Sequence, residues 1–161
     1  MTKRSNKGLS LLLLLALVLT LTACGKMEAA TTPAQETIQV FQEEAASGST
    51  TPLKIADAVL ARGHLPFAGV SAEIEPGFLS GFAEEITGFQ EGAVFAPAVS
   101  AIPFIGYVFR LEDGQDAAAF IEQLEQLADL RWNICTQADE MAADSVGELV
   151  CFVMSPLAFE D

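Results

Sequence analysis

Apolar and polar positions alternate along this chain in a few well-marked periods. The clearest runs from Asp116 to Asp129, where Ala117, Phe120, Ile121, Leu124, Leu127 and Ala128 recur at helical spacing. Glu122, Gln123, Glu125 and Gln126 take the opposite face. Asp116 is a natural N-cap, because a short carboxylate there accepts from the free backbone N–H groups of the first turn. The Glu112-Asp113-Gly114 that precedes it is turn chemistry. Leu53 to Arg62 predicts an earlier helix with Ile55 and Val59 inward and Gly63 as its stop. Short β-rich runs predict strands over Ala93 to Ala98 and Phe104 to Leu111. A hairpin is expected from Met141 to Val146 and Leu149 to Met154, turning on Gly147-Glu148. His64 to Gln90 has no period; Gly-Phe pairs recur there unequally, Pro66 and Pro76 interrupt, and one helical turn near Phe82 to Thr87 is expected.

Helix, irregular segment, two strands, helix and two strands describe an α+β domain. The expected form is a small two-layer one, with an antiparallel sheet of about four strands and helices packed on one face. Pro97 is expected to push its strand to a sheet edge or a bulge. Gly92 to Phe109 carries no charge and is long enough to raise a transmembrane alternative. Pro97, Pro103, Gly92 and Gly106 argue for sheet, as does the acidic stretch that follows with few cations for a positive-inside topology.

The first residues have a different pattern. Lys3, Arg4 and Lys7 form a basic leader, and the apolar run Leu9 to Leu21 follows. That is a secretory signal, too short for a comfortable permanent span of about 20 residues. Leu21-Thr22-Ala23-Cys24 closes the run and resembles the lipobox of bacterial lipoproteins, with small residues before a cysteine and a leucine one place further back. The resemblance implies that Cys24 receives a diacylglyceryl group and becomes the mature N-terminus. The alternative is an ordinary cleaved signal in which Cys24 is incidental. Two acyl chains hold a protein stably where one binds reversibly. Phe109 to Ala117 and Val146 to Val150, behind such a lipobox, resemble small lipoproteins of Gram-positive bacteria. That family brings no catalytic residues to carry over.

Boundaries follow: a signal peptide over 1–23, a flexible tether over 24–52 and an α+β domain over 53–161. The tether is rich in Ala, Thr, Ser, Glu and Gln and reaches roughly 30 Å as a coil. A weakly apolar helix can form within it at Gln35 to Ala46, where Ile38, Phe41 and Ala45 share a face. Loss of the signal removes three of the eight cations and no acids, so the formal charge of −14 becomes −17. Such a surface repels nucleic acid. The expected partners are the membrane, through the anchor at Cys24, and an envelope protein or small ligand at the extracytoplasmic face.

Candidate chemistry is sparse. His64 is the one histidine, which excludes His-His zinc sites, and it reads as a cation at a helix C-terminus. No Gly-x-Ser-x-Gly elbow is present to supply a nucleophile. Glu73, Glu75, Glu84, Glu85, Glu112, Asp113 and Asp116 read as a solvated acidic face; the run at Glu112 lacks the ligand order of a calcium loop. No metal or cofactor is expected. Cys135 and Cys151 are too widely spaced for a redox pair, and the hairpin register puts Asp144 opposite Cys151. A disulfide, worth about 3 kcal/mol, would require the chain around Thr136 to Asp139 to fold back; two buried free thiols are the other outcome. Phe67, Phe78, Phe82 and Phe89, set among glycines and prolines, are the candidate partner-binding patch. The leading expectation is thus a non-enzymatic binding or accessory module, and the alternative is an envelope hydrolase using paired carboxylates.

Overall fold

A computed structural model describes residues 31–48, 51–99 and 101–159. The signal, the lipobox and Cys24 lie outside the described residues. The elements are α1 (Pro33–Ala46), α2 (Pro52–Ala61), β1 (Gly69–Ile74), β2 (Gly77–Phe78), β3 (Glu85–Ile86), β4 (Phe89–Pro97), β5 (Ile105–Leu111), α3 (Ala117–Leu127), β6 (Glu140–Val146) and β7 (Leu149–Ser155). Five strands form one antiparallel sheet in the order β1-β4-β5-β7-β6, and β2 and β3 pair separately. The fold is α+β.

Both faces of the sheet are covered. Along β7, Leu149, Cys151 and Val153 point into one core, and Val150, Phe152 and Met154 point into the other. On β5, Val108 belongs to the first core and Tyr107, Phe109 and Leu111 to the second. The period of two in side-chain direction makes these strands apolar on both faces through most of their length, with Arg110 near the end of β5 and Ser155 at the end of β7 as the exceptions. That is the physical reason for the uncharged run Gly92 to Phe109. Its residues 92–97 and 105–109 lie in β4 and β5, and among the described residues no helix is long and apolar enough to cross a membrane.

The first core is closed by α1 and α2, through Ala34, Ile38, Phe41, Ile55, Ala56 and Val59. The second is closed by Phe120 and Leu124 of α3 together with the segment around β2 and β3. The helices therefore divide between the two faces instead of sharing one, and the sheet has a fifth strand, β1. That strand is weakly marked in sequence because its positions toward α2 are Gly69, lying against Leu60, and Ser71, which donates to the Asp57 carboxylate, and only Ile74 packs on the second core.

α1 corrects the expected tether over 24–52. Thr32 caps it: its hydroxyl accepts from the Gln35 N–H, and the Gln35 side chain accepts from the Thr32 N–H, a reciprocal capping box. Pro33 at the first helical position suits its fixed φ. Ala34, Thr37, Ile38, Val40 and Phe41 are buried against the sheet. The compact unit starts at Thr31, not at residue 53.

Two other expectations change. In place of the helical turn near Phe82 to Thr87, Phe82 bridges Ala128 and Glu85–Ile86 form β3, with Gly77 opposite Ile86. Pro97 ends an interior strand: pairing with β5 stops at Phe95 opposite Gly106, and Pro97 is the last β4 residue, opposite Gly69. The irregularity in β4 lies at its other end, between Phe89 and Glu91, where the Gln90 side chain donates to the Leu111 carbonyl at 2.9 Å. The predicted hairpin forms in its expected register, Val146 opposite Leu149 and Asp144 opposite Cys151. Gly147 takes a φ of +62° and Glu148 a negative one, the II′ arrangement that suits a two-residue turn between twisted strands.

The strands give the domain two distinct ends. β1, β5 and β6 begin at one end, where β4 and β7 finish; it carries the connections over 98–104, 128–139 and 156–159. The other end carries the β6–β7 turn and the entry to α3.

Candidate functional site

The end with the β6–β7 turn is acidic. Glu73 and Glu75 from β1 and its exit, Glu91 from β4, Glu112 and Asp113 beyond β5, and Glu148 in the turn are all exposed there. Arg110 lies among them, 3.1 Å from Glu91 and 3.4 Å from Glu148. A groove of about 500 Å³ runs between the start of α2 and the acids Glu73, Glu75 and Glu91. These acids stand in water, and Glu91 is held by a guanidinium, so the groove presents solvated charge and not a carboxyl in an apolar pocket. Asp116 is the N-cap of α3: its carboxylate accepts from the Ala118 N–H at 3.2 Å. Among the described residues no group of three or more His, Cys, Asp or Glu is arranged to hold a metal ion.

His64 follows α2 and reaches α1. The Thr37 hydroxyl donates to the Pro33 carbonyl at 2.7 Å, so its lone pair faces the His64 ring and accepts from Nε2–H at 3.2 Å. That assigns the Nε2–H tautomer and leaves Nδ1 bare, buried and without a hydrogen-bond partner. Burial lowers the His64 pKa; Arg62 lowers it further, and Glu36 partly offsets both. The expected helix-terminal cation is therefore a neutral ring at neutral pH. Arg62 is the cation at that place, bonded to Glu43 at 2.8 Å and Glu44 at 2.9 Å, so it ties α2 to α1.

The four candidate phenylalanines do not assemble into a patch. Phe89 is buried against Phe109, with ring centroids 4.9 Å apart. Phe82 is half-buried on the second core, 5.5 Å from Tyr107 and 5.4 Å from Phe152. Phe67 packs on the first core against Phe104 and Phe159, at 5.2 and 5.5 Å. Only Phe78 is open, at 78% exposure. The Phe89 ring lies over Gly92, where an added Cβ would come within 2.8 Å of it.

The two cysteines of the domain are free. Cys151 is buried in β7, and desolvation, with Asp144 second, raises its pKa far beyond any reactive range. Cys135 is exposed, which corrects the expectation of two buried thiols. The Tyr107 hydroxyl donates to the Ser80 carbonyl at 2.6 Å, and burial raises its pKa.

The opposite end holds what the sequence did not single out. Val99, Ile134 and Leu157 stand exposed at 68%, 99% and 57%, each on a different connection at that end. Beside them a second groove, of about 470 Å³, is lined by Pro66, Ile102, Pro103, Pro156 and Phe159 together with Thr136 and Asp139. Isolated apolar residues in aperiodic loops carry no pattern, so only the fold shows that they gather. Comparison of the chain with protein-family models, with curated proteins and with solved structures gives no match.

Proposed function

We propose that this chain is a lipid-anchored, extracytoplasmic lipoprotein of the cell membrane whose domain is a binding or accessory module of the envelope. One observation carries the reading: the basic leader, the apolar run Leu9 to Leu21 and the lipobox-like Leu21-Thr22-Ala23-Cys24 occur in working order. The α+β unit that begins at Thr31 is the cargo of that anchor. Its open features are surfaces for contact, an acidic end and an apolar end, which suit a module that binds a partner.

The test is acylation. Cells grown with labelled palmitate should label the wild-type chain and hold it in the membrane fraction after a high-salt wash. Cys24→Ser should carry no label and leave that fraction. Label retained in Cys24→Ser would defeat the reading.

A further inference from the structure

The two ends of the domain differ in chemistry, and the chain enters at only one of them. α1 runs from the apolar end to the acidic end: Thr37, in its first half, meets His64 just before β1 begins, and Gln42, further on, bonds Asp144 near the finish of β6. Thr31 thus stands at the apolar end. The large apolar residues exposed among the described positions are Val70, Phe78, Val99, Ile134, Met141 and Leu157. All but Phe78 lie on that end's connections or within two residues of its strand termini.

We infer that this end rests on the lipid interface that holds Cys24, with Val99, Ile134 and Leu157 as the contacting residues. The inference rests on the lipoprotein reading above. Its own support is the length of chain between the anchor and the fold. Seven residues lead from Cys24 to Thr31, and a chain of that length spans at most about 25 Å, with a coil average near 15 Å. That average is shorter than the length of the strands, so an anchored domain entered at its apolar end favours that end at the headgroups. The acidic end stands a strand length further out, about 20 Å for six or seven residues.

Charge agrees with this orientation. An anionic leaflet repels carboxylates within a Debye length of about 8 Å, and Glu73, Glu75, Glu91, Glu112, Asp113 and Glu148 all lie at the far end. At the near end Asp139 accepts from the Leu157 N–H, Asp129 from the Arg131 N–H and Glu140 from the Ser155 hydroxyl. Glu36 faces His64 at the start of α1, Arg131 adds positive charge at this end, and Arg62 is paired with Glu43 and Glu44.

Cys135, beside Ile134, gives a native probe position, since Cys151 is buried and the proposal uses the Cys24 thiol for acylation. The full acylated chain, labelled at Cys135 with a polarity-sensitive fluorophore, is reconstituted in phosphatidylglycerol–phosphatidylcholine vesicles. Emission should shift to the blue, and spin-labelled lipid should quench it several-fold more than in the Cys135→Ser, Glu148→Cys variant labelled at position 148. Adding Ile134→Ser and Leu157→Ser, both at exposed positions, should weaken that quenching. Equal quenching at the two ends, or stronger quenching at 148, would overturn the inference with the anchor intact. A blue shift that follows protein density in the bilayer would assign the surface to a second copy of the chain and overturn it too. Absence of palmitate label, read before any fluorescence, marks failure of the lipoprotein reading and removes both.

Discussion

The two faces of the central sheet are closed by different means. On one face α1 and α2 lie side by side and bring Ile38, Phe41, Ile55 and Val59 onto Phe95, Val108 and Val153. On the other face a single helix supplies Phe120 and Leu124, and the segment around β2 and β3 completes the cover with Ile86, Phe82 and Leu79. The first face is sealed by regular helix packing with small residues, Ala34 and Ala56, at close contacts. Aromatic rings fill both cores: Phe67, Phe95, Phe104 and Phe159 meet in the first, and in the second Phe109 meets Phe89, Tyr107 and Phe120 at 4.9, 5.6 and 5.3 Å, so the faces differ in their helices and not in their rings. A sheet with both faces covered can bury uncharged strands without exposing an apolar surface, and that requirement makes α1 structural.

The largest expected effects come from removing one anchor on each face. Phe41→Ala on α1 should cost about 3–5 kcal/mol, the range for a buried Phe truncated to Ala, and should be read as a lower denaturant midpoint at unchanged slope. Leu124→Ala on α3 should cost about 2–5 kcal/mol, while Glu125→Ala beside it, exposed, should move stability by less than about 0.5 kcal/mol. A small effect at Phe41 with a large one at Leu124 would break the comparison, leaving α1 as decoration on a one-sided domain.

The two faces also differ in how legible they were. α3 announces itself because its apolar stripe is made of large residues and its cap is an aspartate. α1 has the same spacing, yet its buried positions include Ala34 and Thr37, which carry little hydrophobicity, and Gln, Glu and Ala fill the rest. Composition therefore reads as a linker, and the face of Ile38, Phe41 and Ala45 looks too thin to pack. What the sequence could not show is the partner surface that makes small residues sufficient. β1 is hidden for the same reason, because Gly69 and Ser71 are the residues it turns toward α2 and Ile74 is its one large apolar residue on a core. The hairpin at Gly147 was legible to the residue, since its turn chemistry is local. The candidate patch was not: Phe67, Phe82 and Phe89 look alike in sequence, and only packing sends them to two cores.

A smaller effect tests how the strands fit between the faces. The Phe95 ring lies across Gly106, its cross-strand partner, where an added Cβ would come within 2.1 Å of the ring. Gly106→Ala should therefore destabilise by about 1–3 kcal/mol through overpacking. A neutral result would mean that the ring has room to move.

The smallest effect concerns the seam between α1 and α2. The pKa of His64 is lower in the fold than its ordinary 6.5, so the unfolded chain binds the proton more readily. Stability should be full above about pH 6.5 and should decline as pH falls below it, until the folded ring itself protonates. His64→Gln should remove this slope near pH 6, above the usual range of carboxylate titration. Persistence of the slope would assign it to other groups.

Amide hydrogen exchange across the whole chain tests the central claim, that the folded unit begins at Thr31. If α1 closes one face, Val40 and Phe41 should exchange with opening free energies within about 1 kcal/mol of Val108 and Phe109 on β5. Exchange of Val40 and Phe41 at the rate of an unstructured chain, with β5 still protected, would contradict the claim, return residues 33–46 to a tether and remove the short reach that orients the domain.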